Sequence, residues 1–196
     1  MNDYEYEYNE KMANQKHDLI DKVFEAYGIE KAEKYEDYIW NGKNNVLTLE
    51  DKVTIVSDFH EVYRFMPEED RAIKQVAEIA LLKEPGLYLM APQNILEDRE
   101  IAFNVATNGN IKYPDLAKFH DDFRSDPEIV LEIAKKDVEH ATNYSKGLDH
   151  HFEKNHNEDK YDETCLKTLE SEILANKLQD ELSKKQDHKP KVKYKI

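Results

Sequence analysis

One sequence pattern recurs at a fixed spacing in the middle of the chain. Asp70, Asp98 and Asp126 are each followed three residues later by isoleucine, and each interval is 28 residues. Aspartate is a preferred N-cap because its carboxylate accepts hydrogen bonds from the free amides of the first helical turn. Pro127, directly after Asp126, suits a first helical position. We therefore expect a helix to begin at each aspartate.

The stretch before each aspartate adds a second helix to the repeated unit. An i, i+3, i+7 stripe of apolar residues precedes two of the aspartates, and its members are Tyr88, Ala91, Ile95 and then Leu116, Phe119, Phe123. Such a stripe indicates one buried helix face, although Pro92 would kink or shorten the helix that contains it. Only a neighbouring unit can cover that face. The sequence thus predicts stacked helical hairpins with a 28-residue period over about residues 68–154.

A resemblance to a known family lies in two segments, GLYLMAPQNILEDREIAFNVATNG and DFRSDPEIVLEIAKKD. They resemble the bacterial helical repeats of domain of unknown function 4116, which pair a short helix with an Asp-capped helix of the form Asp-x-Glu-Ile/Val. The resemblance covers about residues 68–137, roughly a third of the chain. It implies an all-helical fold, and no catalytic residue carries over from it.

Apolar stripes on both sides of the repeats predict further helices. Three stripes lie near residues 19–27, 32–40 and 53–63, with Gly28 and Gly42 as expected helix ends. A long amphipathic helix is expected over 158–186, with the apolar residues Cys165, Leu166, Leu169, Ile173, Leu174, Leu178 and Leu182. We therefore predict an all-α protein with one domain at 11–157. The first three helices would cap the repeats, and the long helix would pack on the body or pair with a second copy as a homodimer.

Both termini alternate apolar and charged residues, a period typical of a half-buried strand. Residues 1–10 form an acidic, tyrosine-rich tail containing YEYEY, and residues 187–196 form a basic tail containing KVKYKI. Antiparallel pairing would place Glu beside Lys in a two-stranded ribbon. The alternatives are two disordered tails, or addition of the lysine tail as a strand to the sheet of a partner.

Charge and composition narrow the class of partner. The net charge is −14, and the final segment KKQDHKPKVKYKI contains six lysines and one aspartate, so the rest of the chain is more acidic still. Such a body repels phosphates, which argues against direct nucleic-acid binding and favours a protein partner with a basic surface. The single cysteine suits a reducing compartment, and no apolar run approaches the ~20 residues that a membrane helix needs. We expect a cytoplasmic protein without membrane contact.

The residues that usually carry chemistry occur here in uninformative patterns. No glycine loop suited to phosphates and no serine elbow is present. Cys165 lies on the apolar stripe of the long helix, where core packing is expected. His140, His150, His151 and His156 lack the fixed ligand spacing of a structural zinc site, so surface histidines are expected, and metal binding by this cluster stays open. We predict no enzyme activity, no cofactor and no metal.

These observations favour a non-enzymatic protein–protein interaction module built on an acidic helical-repeat body. The alternative is a nucleic-acid mimic that inhibits a nuclease or a defence complex, of the anti-restriction or anti-CRISPR type, by placing carboxylates where phosphates would lie. Candidate contacts are Asp121, Asp122, Asp126 and Glu128 in the segment FHDDFRSDPE. The same four residues would otherwise serve as helix caps and as a solvated loop.

Overall fold

The computed structural model describes residues 3–42, 47–110, 117, 119–146 and 163–187. Within those residues every regular element is a helix, which confirms the all-α prediction. Contacts divide the chain into two compact units, Met1–His120 and Asp121–Ile196. The sequence predicted one domain over residues 11–157, and the division falls inside that range. In the described part of the chain no helix is long and apolar enough to cross a lipid bilayer.

The first unit contains seven α-helices and two 3₁₀ helices among its described residues. In chain order they are α1 (Asp3–Tyr27), α2 (Ile29–Asn41), α3 (Leu49–Asp58), a first 3₁₀ helix (His60–Phe65), α4 (Glu68–Arg71), α5 (Lys74–Lys83), a second 3₁₀ helix (Pro85–Met90), α6 (Gln93–Leu96) and α7 (Arg99–Asn108). Every long helix contributes fully buried apolar side chains to the core, among them Val23, Ile39, Ile55, Ala80 and Val105.

The second unit contains four helices among its described residues. They are α8 (Asp121–Arg124), α9 (Pro127–Lys136), α10 (Val138–Tyr144) and α11 (Glu163–Asp187). Helix α9 packs against both α10 and α11, and it buries Val130 and Ile133 completely. Helix α11 covers most of the long helix that the sequence predicted over 158–186, and residues 158–162 lie outside the described residues.

Helices α1 and α2 form an antiparallel hairpin around Gly28. Its φ of 73° lies in the region that glycine adopts most easily. Val23 and Tyr35 are buried where the two helices meet. Gly42 ends α2 in the left-handed conformation, with φ 62°, and its amide donates to the carbonyl of Tyr38. Both glycines end helices where the sequence predicted.

The acidic tail predicted at residues 1–10 is helical from Asp3 onward, so the β-ribbon prediction is wrong for this terminus. No glycine or proline lies between residues 3 and 27, and Glu and Lys are good helix formers. Extending a packed helix costs far less than nucleating one, which lets α1 continue into water. Tyr6 and Tyr8 are 59% and 60% exposed on this extension. The basic tail at 188–196 lies outside the described residues.

The third predicted helix is shorter than its apolar stripe. Thr48 and Asp51 form a capping box at the start of α3, which ends at Asp58 rather than at Tyr63. The first 3₁₀ helix then continues the stripe and buries Val62 and Tyr63. A 3₁₀ helix also aligns residues three apart, so the spacing of apolar residues could not distinguish one helix from two.

The first two copies of the repeat lie closer together along the chain than predicted, so the 28-residue period is wrong for them. The first 3₁₀ helix, α4 and α5 begin at residues 60, 68 and 74, and the second 3₁₀ helix, α6 and α7 begin at residues 85, 93 and 99. Tyr63 is therefore equivalent to Tyr88, and Pro67 to Pro92. Helices α8 and α9 begin at residues 121 and 127, so the second step is longer than the first and has the predicted length. Each of the first two copies contains a 3₁₀ helix, a one-turn helix and a ten-residue helix instead of two helices.

Two of the three repeat aspartates cap helices. Asp98 begins α7 and accepts bonds from the amides two and three residues later, at 2.9 and 3.1 Å. Asp126 begins α9 with the same pattern, at 3.0 and 3.3 Å. Gly109 ends α7, and a Cβ there would lie 2.4 Å from the carbonyl oxygen of Val105.

The prediction that a helix begins at Asp70 is wrong. Asp70 lies inside α4 and is 4% exposed, and the next long helix begins at Lys74. The Asp70 carboxylate accepts from Lys52 Nζ at 2.7 Å and from the Tyr38 hydroxyl at 2.5 Å. Burial and this hydrogen bond raise the pKa of Tyr38. The aspartate therefore joins α2, α3 and α4 through a buried polar cluster.

Candidate functional site

Helices α1 and α2 each carry exposed carboxylates. Asp18, Asp21 and Glu25 lie at i, i+3 and i+7 on α1, so they share one face. Glu30 and Glu33 lie three apart near the start of α2, just beyond Gly28. All five side chains are exposed. We call these five residues the acidic ridge.

Local contacts do not neutralise the acidic ridge. Within the described part of the chain none of its five carboxylates has an ion-pair or hydrogen-bond partner. The nearby lysines contact other groups: Lys22 Nζ lies 3.8 Å from a carboxylate oxygen of Glu61, and Lys31 lies over the ring of Tyr27. The acidic ridge therefore presents uncompensated negative charge to solvent.

The acids of α1 add little to the stability of that helix. Like charges three or four residues apart, such as Asp21 and Glu25, destabilise a helix by about 0.2–0.5 kcal/mol per pair, and Lys22, four residues after Asp18 and three before Glu25, offsets this by a similar amount. Glu25 also lies in the last turn of α1, where the helix dipole disfavours negative charge and where no basic residue is present. The stability of α1 therefore does not account for Glu25.

Contacts around Tyr27 position the acidic ridge on a rigid support. The Tyr27 hydroxyl donates to the carboxylate of Asp58 in α3, and its ring packs edge-on against Phe59. Burial, followed by the bond to Asp58, raises the pKa of Tyr27. The last turn of α1 is therefore attached to α3 as well as to α2.

A polar cleft of about 290 Å³ opens beside α1 in the same unit. One of its lining residues is His60, whose Nδ1 lies 3.6 Å from a carboxylate oxygen of Glu61 and whose Nε2 lies 3.6 Å from one of Glu84. Arg64 also forms an ion pair with Glu84, and the Nε atom of Arg64 is buried without a hydrogen-bond partner in the described structure. The remaining lining residues are Gln15, Asp18, Leu19, Lys22 and Phe65. Charges of both signs converge here, and they largely pair with each other.

Two of the four carboxylates predicted as binding contacts are engaged within the second unit. Asp126 caps α9. Glu128 is half-buried and forms an ion pair with Lys177 of α11. These two side chains stabilise the unit, as expected for caps and for helix-dipole contacts.

The other two predicted contacts lie on α8. Asp121 forms ion pairs with Lys146 and, at 3.3 Å, with Arg124. Asp122 is exposed. The structure thus gathers the four carboxylates near α8 and α9, but cations of the same unit neutralise part of their charge.

The sequence signal for the acidic ridge is the i, i+3, i+7 spacing of Asp18, Asp21 and Glu25 on the side of α1 opposite its apolar stripe. The apolar residues alone do not indicate this spacing.

Helix α11 has apolar residues on two opposite sides, where the sequence predicted one stripe. Leu169 is fully buried against α9. Lys135 of α9 bonds to Glu132 at 2.8 Å and lies 3.7 Å from Glu170 of α11, and these contacts raise its pKa, with the Glu132 bond first. On the other side Leu174, Leu178 and Leu182 are 58%, 53% and 59% exposed. We call these three residues the leucine stripe.

Among the described residues no group of three or more His, Cys, Asp or Glu side chains could hold a metal ion. The histidine cluster at 140–156 and Cys165 lie outside the residues whose side chains are described. Comparison with known proteins found no matching family model, no similar curated protein and no similar solved structure.

Proposed function

We propose that this protein is a non-enzymatic interaction module whose acidic helical body binds a protein partner with a basic surface. The acidic ridge is the observation that carries the proposal. Its carboxylates are exposed and unpaired within the described residues, and that of Glu25 lies in the last turn of α1, where the helix dipole disfavours it. A basic partner would supply the missing positive charge.

The expected contribution of such a surface is mainly to association rate and specificity. Complementary potentials steer encounter and reject partners of the wrong sign, and they weaken as salt screens them. The attachment of α1 to α3 through Tyr27 and Asp58 fixes the backbone near Glu25, so only the side chains of the acidic ridge have to be ordered on binding.

The test is capture of a partner from a lysate of the organism that encodes the chain. We compare the wild type with Asp21→Asn/Glu25→Gln, which removes two ridge charges and keeps side-chain size. The matched control, Glu172→Gln/Asp180→Asn, removes two exposed charges from α11 in the other unit. A partner of the ridge should be captured at least about fivefold less by the ridge variant and nearly unchanged by the control. Equal capture by all three proteins would refute the proposal.

Competition by DNA separates this function from its alternative. A nucleic-acid mimic would have its partner displaced by double-stranded DNA at low salt, because both ligands would fill one site. A partner that is not a nucleic-acid-binding protein should stay bound. Because Asp121, Asp126 and Glu128 already form ion pairs or cap a helix within their own unit, we expect a mimic to use the acidic ridge.

Three further expectations stay predictions: the absence of enzyme activity, the cytoplasmic location and the relationship to domain of unknown function 4116. The polar cleft around His60 is the place where an activity would be sought first, because convergent polar groups in a concave site are typical of one.

A further inference from the structure

The leucine stripe is the largest group of exposed apolar side chains on one described helix. Leu174, Leu178 and Leu182 are four residues apart, so they follow one side of α11 over about 12 Å. Leu169, which holds α11 against α9, lies on the opposite side of the helix. Packing within the described unit therefore leaves the stripe outside. Contiguous exposed apolar surface of this kind marks an interaction site more often than ordinary surface.

The stripe is symmetric about its middle residue. Leu174 and Leu182 each lie about 6 Å along the axis from Leu178. If a second α11 runs antiparallel with a twofold axis at Leu178, Leu178 meets its own copy and Leu174 meets Leu182 of the other copy. A twofold interface requires a self-complementary surface of this type.

Charges beside the stripe favour the antiparallel direction. At 100° per residue, Lys177 and Glu181 fall on the same flank of the stripe, whereas Ala175 and Gln179 fall on the other flank. An antiparallel pair brings equal flanks together, so each Lys177 would lie within about 3 Å along the axis of the other copy's Glu181. Lys177 also pairs with Glu128 of its own chain, and its side chain is 64% exposed. A parallel pair would place the charged flank against uncharged side chains.

We propose that α11 pairs with α11 of a second copy, antiparallel, with Leu178 at the twofold axis. This inference concerns a different unit and a different surface from the acidic ridge, so it stands independently of the proposed binding function. Three leucines per copy make an interface smaller than the roughly 1,200–2,000 Å² of stable complexes. The pairing is therefore weak, with a monomer–dimer equilibrium centred at about 10–300 µM.

Sedimentation equilibrium of the full chain over that concentration range tests the pairing. The wild type should pass from monomer to dimer, and Leu178→Glu should stay monomeric because it places two carboxylates at the axis. The matched control is Leu89→Glu, which changes a leucine that is 70% exposed in the first unit and should dimerise like the wild type. Circular dichroism of each variant checks that the helices are retained. A wild type that is monomeric throughout, or a Leu178→Glu variant that still dimerises, would overturn the proposal.

A second pair of variants tests the direction. Glu181→Lys should raise the dissociation constant at least about fivefold, because it places a lysine beside Lys177 of the other copy. Asp180→Lys makes the same charge change on the side of α11 away from the stripe, and it should leave the dissociation constant unchanged. Equal dissociation constants for the two variants would overturn the antiparallel arrangement.

Discussion

Replacing Asp70 should destabilise the first unit far more than replacing Asp98, although the sequence treats the two residues as equivalent. Asp70→Ala leaves Lys52 as a buried ammonium without a counterion, and Lys52 is only 8% exposed. Removing one partner of a buried ion pair costs about 3–5 kcal/mol. Asp98→Ala removes a partly exposed helix cap, which costs about 1 kcal/mol. Since whole domains are stable by about 5–15 kcal/mol, the first loss is a large fraction of the total.

Urea unfolding followed by tryptophan fluorescence measures this difference directly. Trp40 is the single tryptophan, it belongs to the same unit, and its ring packs edge-on against His17 at 4.8 Å. A double variant, Lys52→Met/Asp70→Leu, replaces the ion pair by apolar side chains. The double variant leaves only the Tyr38 hydroxyl without a partner, so its free energy of unfolding should be about 1–3 kcal/mol below that of the wild type.

Two results would refute this reasoning. Equal losses of about 1 kcal/mol for Asp70→Ala and Asp98→Ala would mean that both residues act as helix caps. A double variant as unstable as Asp70→Ala would mean that the unpaired ammonium of Lys52 is not the source of the loss.

Two further predictions concern stability. Tyr63 and Tyr88 are equivalent in the repeat, but the Tyr63 hydroxyl donates to the carbonyl of Arg71 at 3.0 Å whereas that of Tyr88 is buried without a partner in the described structure. Tyr63→Phe should lower the free energy of unfolding by about 1 kcal/mol, whereas Tyr88→Phe should leave it unchanged or raise it by up to about 1 kcal/mol. Urea unfolding measures both changes, and equal losses for the two variants would contradict the hydrogen-bond assignment. Bonds from Lys34 and Thr48 lower the pKa of Asp51 to about 2, so its stabilising contribution is complete above about pH 4 and is lost as the pH falls toward 2. Asp51→Asn should therefore reduce the loss of stability between pH 4.5 and pH 2 by about 1 kcal/mol, and an unchanged pH profile would show that these bonds do not form.

Helix positions were predictable where the apolar spacing was regular and the ends had specific chemistry. Gly28 and Gly42 end helices because they adopt positive φ, and Asp98 and Asp126 begin helices because their carboxylates accept bonds from first-turn amides. Such requirements are local, so they can be read from a few neighbouring residues.

The repeat spacing was mispredicted because one residue type was used to align the copies. Asp70 matches Asp98 in identity, but its buried contacts with Lys52 and Tyr38 come from distant parts of the chain. The equivalent residues are the buried Tyr63 and Tyr88, which lie closer together along the chain than the two aspartates. Long-range contacts decided the role of this aspartate, and spacing alone does not contain them.

Identifying either candidate surface requires knowing which side of its helix already packs within the same unit. The apolar residues of α11 were read as one stripe because several fit a helical period, whereas Leu169 and Leu178 lie on opposite sides. The lack of partners for the acids of α1 follows from the contacts of Lys22 and Lys31 with other groups, which residue spacing does not contain.

The spacing of helices along the chain is constant within each copy of the repeat, whereas the spacing between copies varies. In all three copies the first residue of the long helix comes six residues after the first residue of the one-turn helix, so the long helices begin at residues 74, 99 and 127. The distance from one copy to the next changes instead, and it is longer between the second and third copies than between the first and second. We therefore expect a change in chain length at the junction near residue 84 to disturb the fold less than the same change inside a copy, because it leaves the spacing of helices within each copy unchanged.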